Sequence, residues 1–152
     1  MKRKGDPMTF LTGNRKKIVL TLLLLLVLSS MFLSWFGGSR GVQEIRGAVV
    51  LFHPLTLLCA AAALLDIWGI FPAARGIPGI VSAAGILGVE LYEFLFWHYE
   101  TITGRFSLSF SFRCAYPEFY LGFGLTALLL AGLVLRKRIP QQSQDGSNVP
   151  LT

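Results

Sequence analysis

Charged residues are scarce in this chain of 152 residues, at 14% against roughly 25% in an average soluble domain. Only 8 residues are acidic, and the 53% of hydrophobic residues stand in long blocks instead of in helical or strand alternation. So few charges cannot cover the surface of a water-soluble domain. The composition therefore excludes the soluble class and predicts an integral membrane protein.

Cysteine and histidine are equally scarce, with two of each. Two cysteines are too few for a disulfide framework, and we interpret Cys59 and Cys114 as a packing residue and a loop residue. An intermolecular bridge through Cys114 stays open, because its loop is expected to face an oxidising side. The sequence has no CxxC, His pair or HExxH spacing, so it predicts no metal site and no cofactor.

Short catalytic motifs are missing as well. The chain has no GxSxG, no GxxxxGK[ST] and no dinucleotide-binding glycine pattern. Membrane enzymes often lack short motifs, so this absence lowers the expectation of an enzyme without excluding one.

Four apolar blocks occupy residues 18–36, 47–71, 79–99 and 119–135. Each is close to the roughly 20 residues that a helix needs to cross about 30 Å of hydrocarbon. The strands of a membrane barrel are shorter and alternate, which these blocks do not. We therefore predict an all-α integral membrane protein, a four-transmembrane-helix bundle within residues 18–135.

Basic residues flank the first and the last block. They are Lys2, Arg3, Lys4, Arg15, Lys16 and Lys17 before the first, and Arg136, Lys137 and Arg138 after the last. The positive-inside rule places both clusters, and with them both termini, in the cytoplasm. The expected location is a plasma membrane, of bacterial type, with the lipid bilayer as the partner of these charges. Nucleic acid is not an expected partner.

The segments outside the blocks are not expected to form domains. Residues 1–17 are interpreted as a flexible basic cytoplasmic arm, and residues 139–152 as a disordered cytoplasmic tail. The first block is longer than the apolar region of a secretory signal, so we expect an uncleaved signal anchor. Aromatic residues near the block ends, Trp35, Trp68, Trp97, Tyr99, Tyr116 and Tyr120, are predicted to form interfacial belts.

Two glutamates lie inside the third block, where carboxylates are costly and rare. With about 1.5 Å per residue, Glu90 lies about 12 Å and Glu93 about 7 Å below an outer interface placed near His98. His53 in the second block lies at a similar depth, about 8 to 9 Å below the outer surface near Arg46. We therefore predict an outer-half polar cluster of His53, Glu90, Glu93 and Arg46 between the second and third spans.

Three interpretations of this cluster stay open. A structural hydrogen-bonded group that fixes helix register is favoured over a proton or ion pathway, and both over an enzyme site. Near the cytoplasmic end of the second block, Asp66 is predicted to form a structural ion pair with Arg75. Between the two sites only Thr56 and Ser82 are polar, which argues against a proton wire.

The loop around residues 106–112 carries an alternation of phenylalanine or leucine with serine. This period of two predicts an extended segment with its apolar residues on one face. We interpret it as a lid over the helix ends, with a ligand or partner surface as the alternative.

The end of the first block, Phe32-Leu33-Ser34-Trp35-Phe36, is followed by a glycine-rich loop and by Gly47 at the start of the second block. This arrangement resembles a group of small uncharacterised four-span bacterial membrane proteins with a Phe-Leu-Pro-Trp motif, where this chain has Ser34 in place of proline. The resemblance implies no reaction and transfers no functional residue.

Small residues in three of the blocks permit close helix approach, which suits either tight packing within the bundle or contact with another membrane protein or a second copy. We therefore expect a non-enzymatic accessory or structural subunit that associates through its helices. The alternative is a small transporter or proton-coupled channel that uses Glu90 and Glu93; a membrane-embedded enzyme is less favoured.

Overall fold

The chain is mostly helical in the computed structural model, which describes residues 7–37, 43–71, 76–98, 104 and 107–138. Within these residues there are six helices and two short strands: α1 (Pro7–Ser30), β1 (Ser34–Phe36), β2 (Ile45–Arg46), α2 (Ala48–Leu51), α3 (Pro54–Trp68), α4 (Ile77–His98), α5 (Leu108–Cys114) and α6 (Pro117–Arg138).

The four longer helices, α1, α3, α4 and α6, pack against one another in chain order, and α6 returns to contact α1. Aliphatic side chains fill the space between them, namely Leu20, Leu24, Val27, Ala63, Ile67, Ala83, Ile86, Leu129 and Leu133. Helix α4 and most of α6 (Pro117–Lys137) are long and apolar enough to cross a membrane, and α3 is a shorter apolar helix.

The short elements gather at one end of the four helices. Strand β1 pairs antiparallel with β2, and Phe36 of β1 also bridges Ala115, just before α6. We call this end, with β1, β2, α2 and α5, the hairpin end. At the opposite end, the basic end, Lys17 Nζ lies 3.5 Å from the carbonyl oxygen of Trp68.

The second apolar block, 47–71, is interrupted near its start. Helices α2 and α3 are separated by Phe52 and His53, and α3 begins at Pro54. The proline ring pushes the preceding residue out of the helical region, and His53 is extended, with ψ 128°. The His53 ring then caps α3, because Nδ1 accepts the backbone N–H of Leu55 at 3.3 Å.

The first apolar block, 18–36, stops being helical at Ser30. The Trp35 indole N–H donates to the Ser30 carbonyl at 3.1 Å, and residues 34–36 pair with β2 instead of extending the helix. On the other side of β1, the N–H of Tyr116 donates to the Trp35 carbonyl at 2.8 Å. Pairing with distant segments thus replaces the last turns of the expected helix.

The structure describes residues 7–17 of the N-terminal segment and none of the C-terminal tail. Helix α1 begins at Pro7, so residues 7–17 of the basic arm are helical. The tail, residues 139–152, lies outside the described residues.

Residues 107–112 do not form the expected extended lid, and Phe106 lies outside the described residues. Residues 108–112 belong to α5, and Ser107 caps this helix by accepting the N–H of Phe110 at 3.4 Å. Ser111 is buried against His98. A serine cap and an inward-facing serine one turn later favour the helix, and the alternation of apolar residues does not outweigh them.

A cluster of aromatic rings closes the hairpin end. Phe36 stacks on Trp97 with ring centroids 4.9 Å apart, and Phe94 stacks on Phe119 at 4.9 Å. Trp35 meets Phe119 edge-on at 5.4 Å. Each such pair contributes about 0.5–1.5 kcal/mol beyond its buried area, so β1 is fixed to α4 and α6 by stacking.

The prediction of aromatic belts is therefore wrong for two tryptophans. The Trp35 and Trp97 side chains are buried in the protein because they pack on other rings at the hairpin end. Trp68 and Tyr120 are exposed, which a lipid interface allows, and Tyr99 lies outside the described residues.

The glycines of the apolar helices divide into two groups. An added Cβ at Gly79 or Gly85 would lie 2.6 or 2.7 Å from a side chain of α3, so these glycines permit the close contact of α3 with α4. At Gly88 and Gly124 nothing lies within 4 Å of an added Cβ. The first pair serves the bundle, and the second pair faces away from it.

Gly47 provides a test of the hairpin end, because an added Cβ there would lie directly against the Trp35 indole. We expect Gly47→Ala to lower the free energy of unfolding by about 1–3 kcal/mol, the usual cost of overpacking. Gly88→Ala is the control and should raise it by up to about 1 kcal/mol, since alanine suits a helix better than glycine. Thermal and denaturant unfolding in detergent measure both. Equal effects of the two substitutions would contradict the packing described here.

Candidate functional site

Glu90 lies on the inward face of α4, and its side chain has no exposed surface. Its Oε1 is hydrogen-bonded to the Thr126 hydroxyl of α6 at 2.7 Å. The same hydroxyl lies 3.1 Å from the carbonyl oxygen of Gly122, one turn earlier in α6. A carboxyl group and a hydroxyl thus join α4 to α6 in the interior of the bundle.

The number of hydrogen-bond donors around Glu90 and Thr126 fits a protonated Glu90 carboxyl group. A hydroxyl has one proton, so Thr126 can donate either to Glu90 Oε1 or to the Gly122 carbonyl, and both contacts are satisfied together only when a protonated Glu90 supplies the second proton. An ionised Glu90 would have a single donor, because its Oε2 is buried without a hydrogen-bond partner in the described part of the chain. Such a charge costs on the order of several kcal/mol to bury.

The expected polar cluster requires His53 to lie with Glu90, but the structure does not bring the two side chains together. Its side chain is exposed and caps α3 through Nδ1, which directs the ring to the N–H of Leu55. The prediction matched His53 to Glu90 by depth, but the break before Pro54 leaves the His53 side chain exposed. Depth along two helices does not fix the face on which a residue lies.

The other two members of the expected cluster are Arg46 and Glu93. Arg46 is exposed in β2 at the hairpin end. Glu93 is partly buried one turn beyond Glu90 on α4. The hydrogen bond of Glu90 to Thr126 joins the third block to the fourth, and His53 of the second block is exposed.

Asp66 is buried at the contact of α3 with the first turn of α4, beside Gly79. Its Oδ2 has no hydrogen-bond partner among the described residues. The expected partner, Arg75, lies outside those residues, so the Asp66–Arg75 ion pair stays a prediction.

Between Asp66 and Glu90 the interface of α3 with α4 is mainly apolar. Cys59 contacts Gly85 at its middle, and Ala63 and Ile86 are fully buried. Thr56 and Ser82 are buried polar residues of the same two helices. No hydrogen bond between the described residues links either of them to Glu90 or Asp66.

A second buried polar group, absent from the expectations, holds α5 against the end of α4. His98 is fully buried; its Nε2 accepts the backbone N–H of Ser107 at 3.1 Å, and its Nδ1 lies 3.2 Å from Ser111 Oγ. Because a backbone amide is always a donor, Nε2 carries no proton. The Nδ1–H therefore donates to Ser111.

This tautomer determines what His98 can do. A histidine that activates a serine must accept the hydroxyl proton on the nitrogen that faces the serine. Here that nitrogen, Nδ1, is the protonated one, so Ser111 is not an activated nucleophile. The group therefore serves to position α5.

Tyr116 ties the hairpin to the start of α6. Burial and the nearby carboxylate of Glu44 raise the pKa of Tyr116 above its ordinary value. The phenol therefore stays neutral and can donate to Glu44, which also lies 3.5 Å from the Ser34 hydroxyl.

The sequence prediction missed Thr126, although the sequence contains a signal for it. Apart from Tyr120 at its start, Thr126 is the only residue of its apolar block with a polar side-chain group, and counting about 1.5 Å per residue from Pro117 places it about 13 Å deep, close to the depth expected for Glu90. The role of His98 had no such signal, because its partners follow a loop of unknown path.

Within the described ranges no group of three or more His, Cys, Asp or Glu side chains could hold a metal ion. Comparison of the chain with family models, curated proteins and solved structures gave no match. Function must therefore be inferred from the contacts themselves.

Thr126 provides a direct test of the buried pair. We expect Thr126→Val to lower the free energy of unfolding by about 1–3 kcal/mol, because it leaves the Glu90 carboxyl without its partner. Thr126→Ser keeps the hydroxyl and should cost clearly less. Glu90→Gln should stay within about 1 kcal/mol of the parent, as an amide replaces a neutral acid. A large loss in Glu90→Gln, measured by denaturation in detergent, would show that the charge is required.

Proposed function

We propose that the chain is a four-span membrane protein with both termini in the cytoplasm, and that it acts as an accessory or structural subunit through helix association. The mutual packing of α1, α3, α4 and α6 supports four spans, as does the apolar character of α3, α4 and α6. The position of Lys17 and Lys137 at the end opposite the hairpin agrees with the positive-inside rule.

The short α3 needs a specific account within this topology. Its 15 residues extend about 22 Å, less than the roughly 30 Å of a hydrocarbon core. Helix α2 and the residues around His53 would complete the crossing at the outer side. The His53 cap would then satisfy one backbone N–H group at the break, that of Leu55, which lipid cannot do.

The outward-facing glycines are the observation that carries the proposal of helix association. Gly88 of α4 and Gly124 of α6 have open space where a side chain would be, while Gly79 and Gly85 already serve the bundle. Small residues on a lipid-facing surface let another helix approach closely, which is the main source of helix contact in membranes. The partner would be another membrane protein or a second copy.

The burial of Glu90 favours a structural role over transport. Its carboxyl is hydrogen-bonded within the bundle and has no exposed surface. A polar residue of this kind fixes the rotation of α4 relative to α6, as buried hydrogen bonds do between membrane helices.

To test helix association, Gly88→Leu and Gly124→Leu are compared with Leu128→Ile, a substitution at an exposed position that is already large. We expect the leucine variants to lose cross-linked oligomers, or a co-purified membrane protein, while their melting temperature in detergent stays at the parent value. Leu128→Ile should leave association unchanged. Association that survives both leucine substitutions would refute the proposed surface.

One observation keeps the small transporter or proton-coupled channel as a second candidate: Oε2 of Glu90 and the hydroxyl of Thr56 are both buried without a hydrogen-bond partner in the described chain. Such atoms can exchange protons or bind a water molecule. If this candidate is right, Glu90→Gln abolishes proton flux in liposomes and leaves the melting temperature unchanged. Unaltered flux, or no flux in the parent protein, rejects it.

A further inference from the structure

Helix α5 is fixed in rotation at the hairpin end. His98 holds the backbone of Ser107 and the side chain of Ser111, and the carbonyl of Cys114 accepts the N–H of Gly37 at 2.9 Å. These hydrogen bonds hold both ends of the helix in place. The surface that α5 presents to its surroundings is therefore defined.

The remaining residues of α5 divide its free surface into two sides. At about 100° per residue, Leu108 and Phe112 lie together on one side, and Ser109 and Arg113 lie together about 100° further round. All four are exposed, with Leu108 at 45% and Phe112 at 55%. An apolar side next to a polar side, both outside the protein, is the pattern of a helix at a membrane surface.

We propose that α5 lies in the headgroup region of the outer leaflet, with Leu108 and Phe112 at the boundary of the acyl chains and Arg113 at the lipid phosphates. This inference rests on the membrane topology proposed above. The occupant of the α5 surface is thus phospholipid.

The neighbouring surface supports lipid as the occupant. The Phe112 ring meets Phe94 of α4 edge-on at 5.0 Å, so the apolar side of α5 adjoins the last turns of α4. The exposed side chains of those turns, Leu91 and Tyr92, suit the lipid boundary as well. The apolar side of α5 therefore continues a surface that lipid covers in the proposed topology.

The other short helix of the hairpin end repeats the arrangement. Val49 of α2 and Phe52 just after it are exposed, at 53% and 68%, and Arg46 is exposed two residues before α2. Two short elements at one end thus combine an exposed apolar pair with an exposed arginine. Arginine binds phosphate oxygens through its planar guanidinium group, and its aliphatic part can lie along apolar surface.

The test uses single cysteines at positions 108, 109, 112 and 113 in the full chain with Cys59→Ala and Cys114→Ala, each labelled with an environment-sensitive fluorophore. The protein is placed in nanodiscs of phosphatidylcholine and phosphatidylglycerol. Quenching by lipids with a nitroxide near the headgroup is compared with quenching by iodide in water. A fifth probe at position 128 reports on the membrane crossing of α6.

We expect lipid quenching to dominate at 108 and 112 and iodide quenching at 109 and 113, with a several-fold difference in the ratio of the two. Iodide quenching that dominates at all four positions, with position 128 quenched by deep nitroxide lipids, overturns the inference and leaves the topology intact. Iodide access at 128 as well overturns the topology itself. An unchanged melting temperature of the cysteine variants ensures that the folded protein is measured.

Discussion

The hairpin end depends on the hydrogen bonds made at the backbone of β1. The carbonyl of Trp35 accepts from Tyr116, the carbonyl of Leu33, the residue before β1, accepts from Gly47, and the Trp35 indole donates to the end of α1. The end of α1 and two segments more distant in sequence therefore meet at one short strand. The stacked rings around Phe36 then exclude solvent and lipid from these hydrogen bonds, which strengthens them.

The interior of the bundle follows a different rule. Most of its side chains are aliphatic, but Glu90 and Thr126 form a hydrogen bond, which is a directional interaction. Apolar packing alone permits helices to slide and rotate relative to one another, whereas a hydrogen bond between α4 and α6 permits one arrangement. Inward glycines such as Gly79 also restrict the arrangement of the helices, because a larger residue there would prevent the close approach of α3 to α4.

Sequence reasoning was most successful where the physical signal was long and local. The apolar blocks match the four longer helices, but their ends do not, because helix termination at Ser30 and the break at His53 depend on pairing with β2 and on one proline. Depth counting correctly marked Glu90 as a residue that needs a partner. It could not select between His53 and Thr126, since the choice depends on which faces of three helices meet.

The distance in sequence between the segments that meet at β1 also has a consequence for the order of assembly. Residue 35 acquires its partner at residue 116 only after the intervening helices, α2 to α5, have been synthesised. Contacts between such distant segments form slowly, because a long loop must close first. The contact of β1 with Tyr116 therefore forms only after residue 116 has been synthesised, and until Phe119 follows, the Phe36 ring lacks one of its aromatic partners.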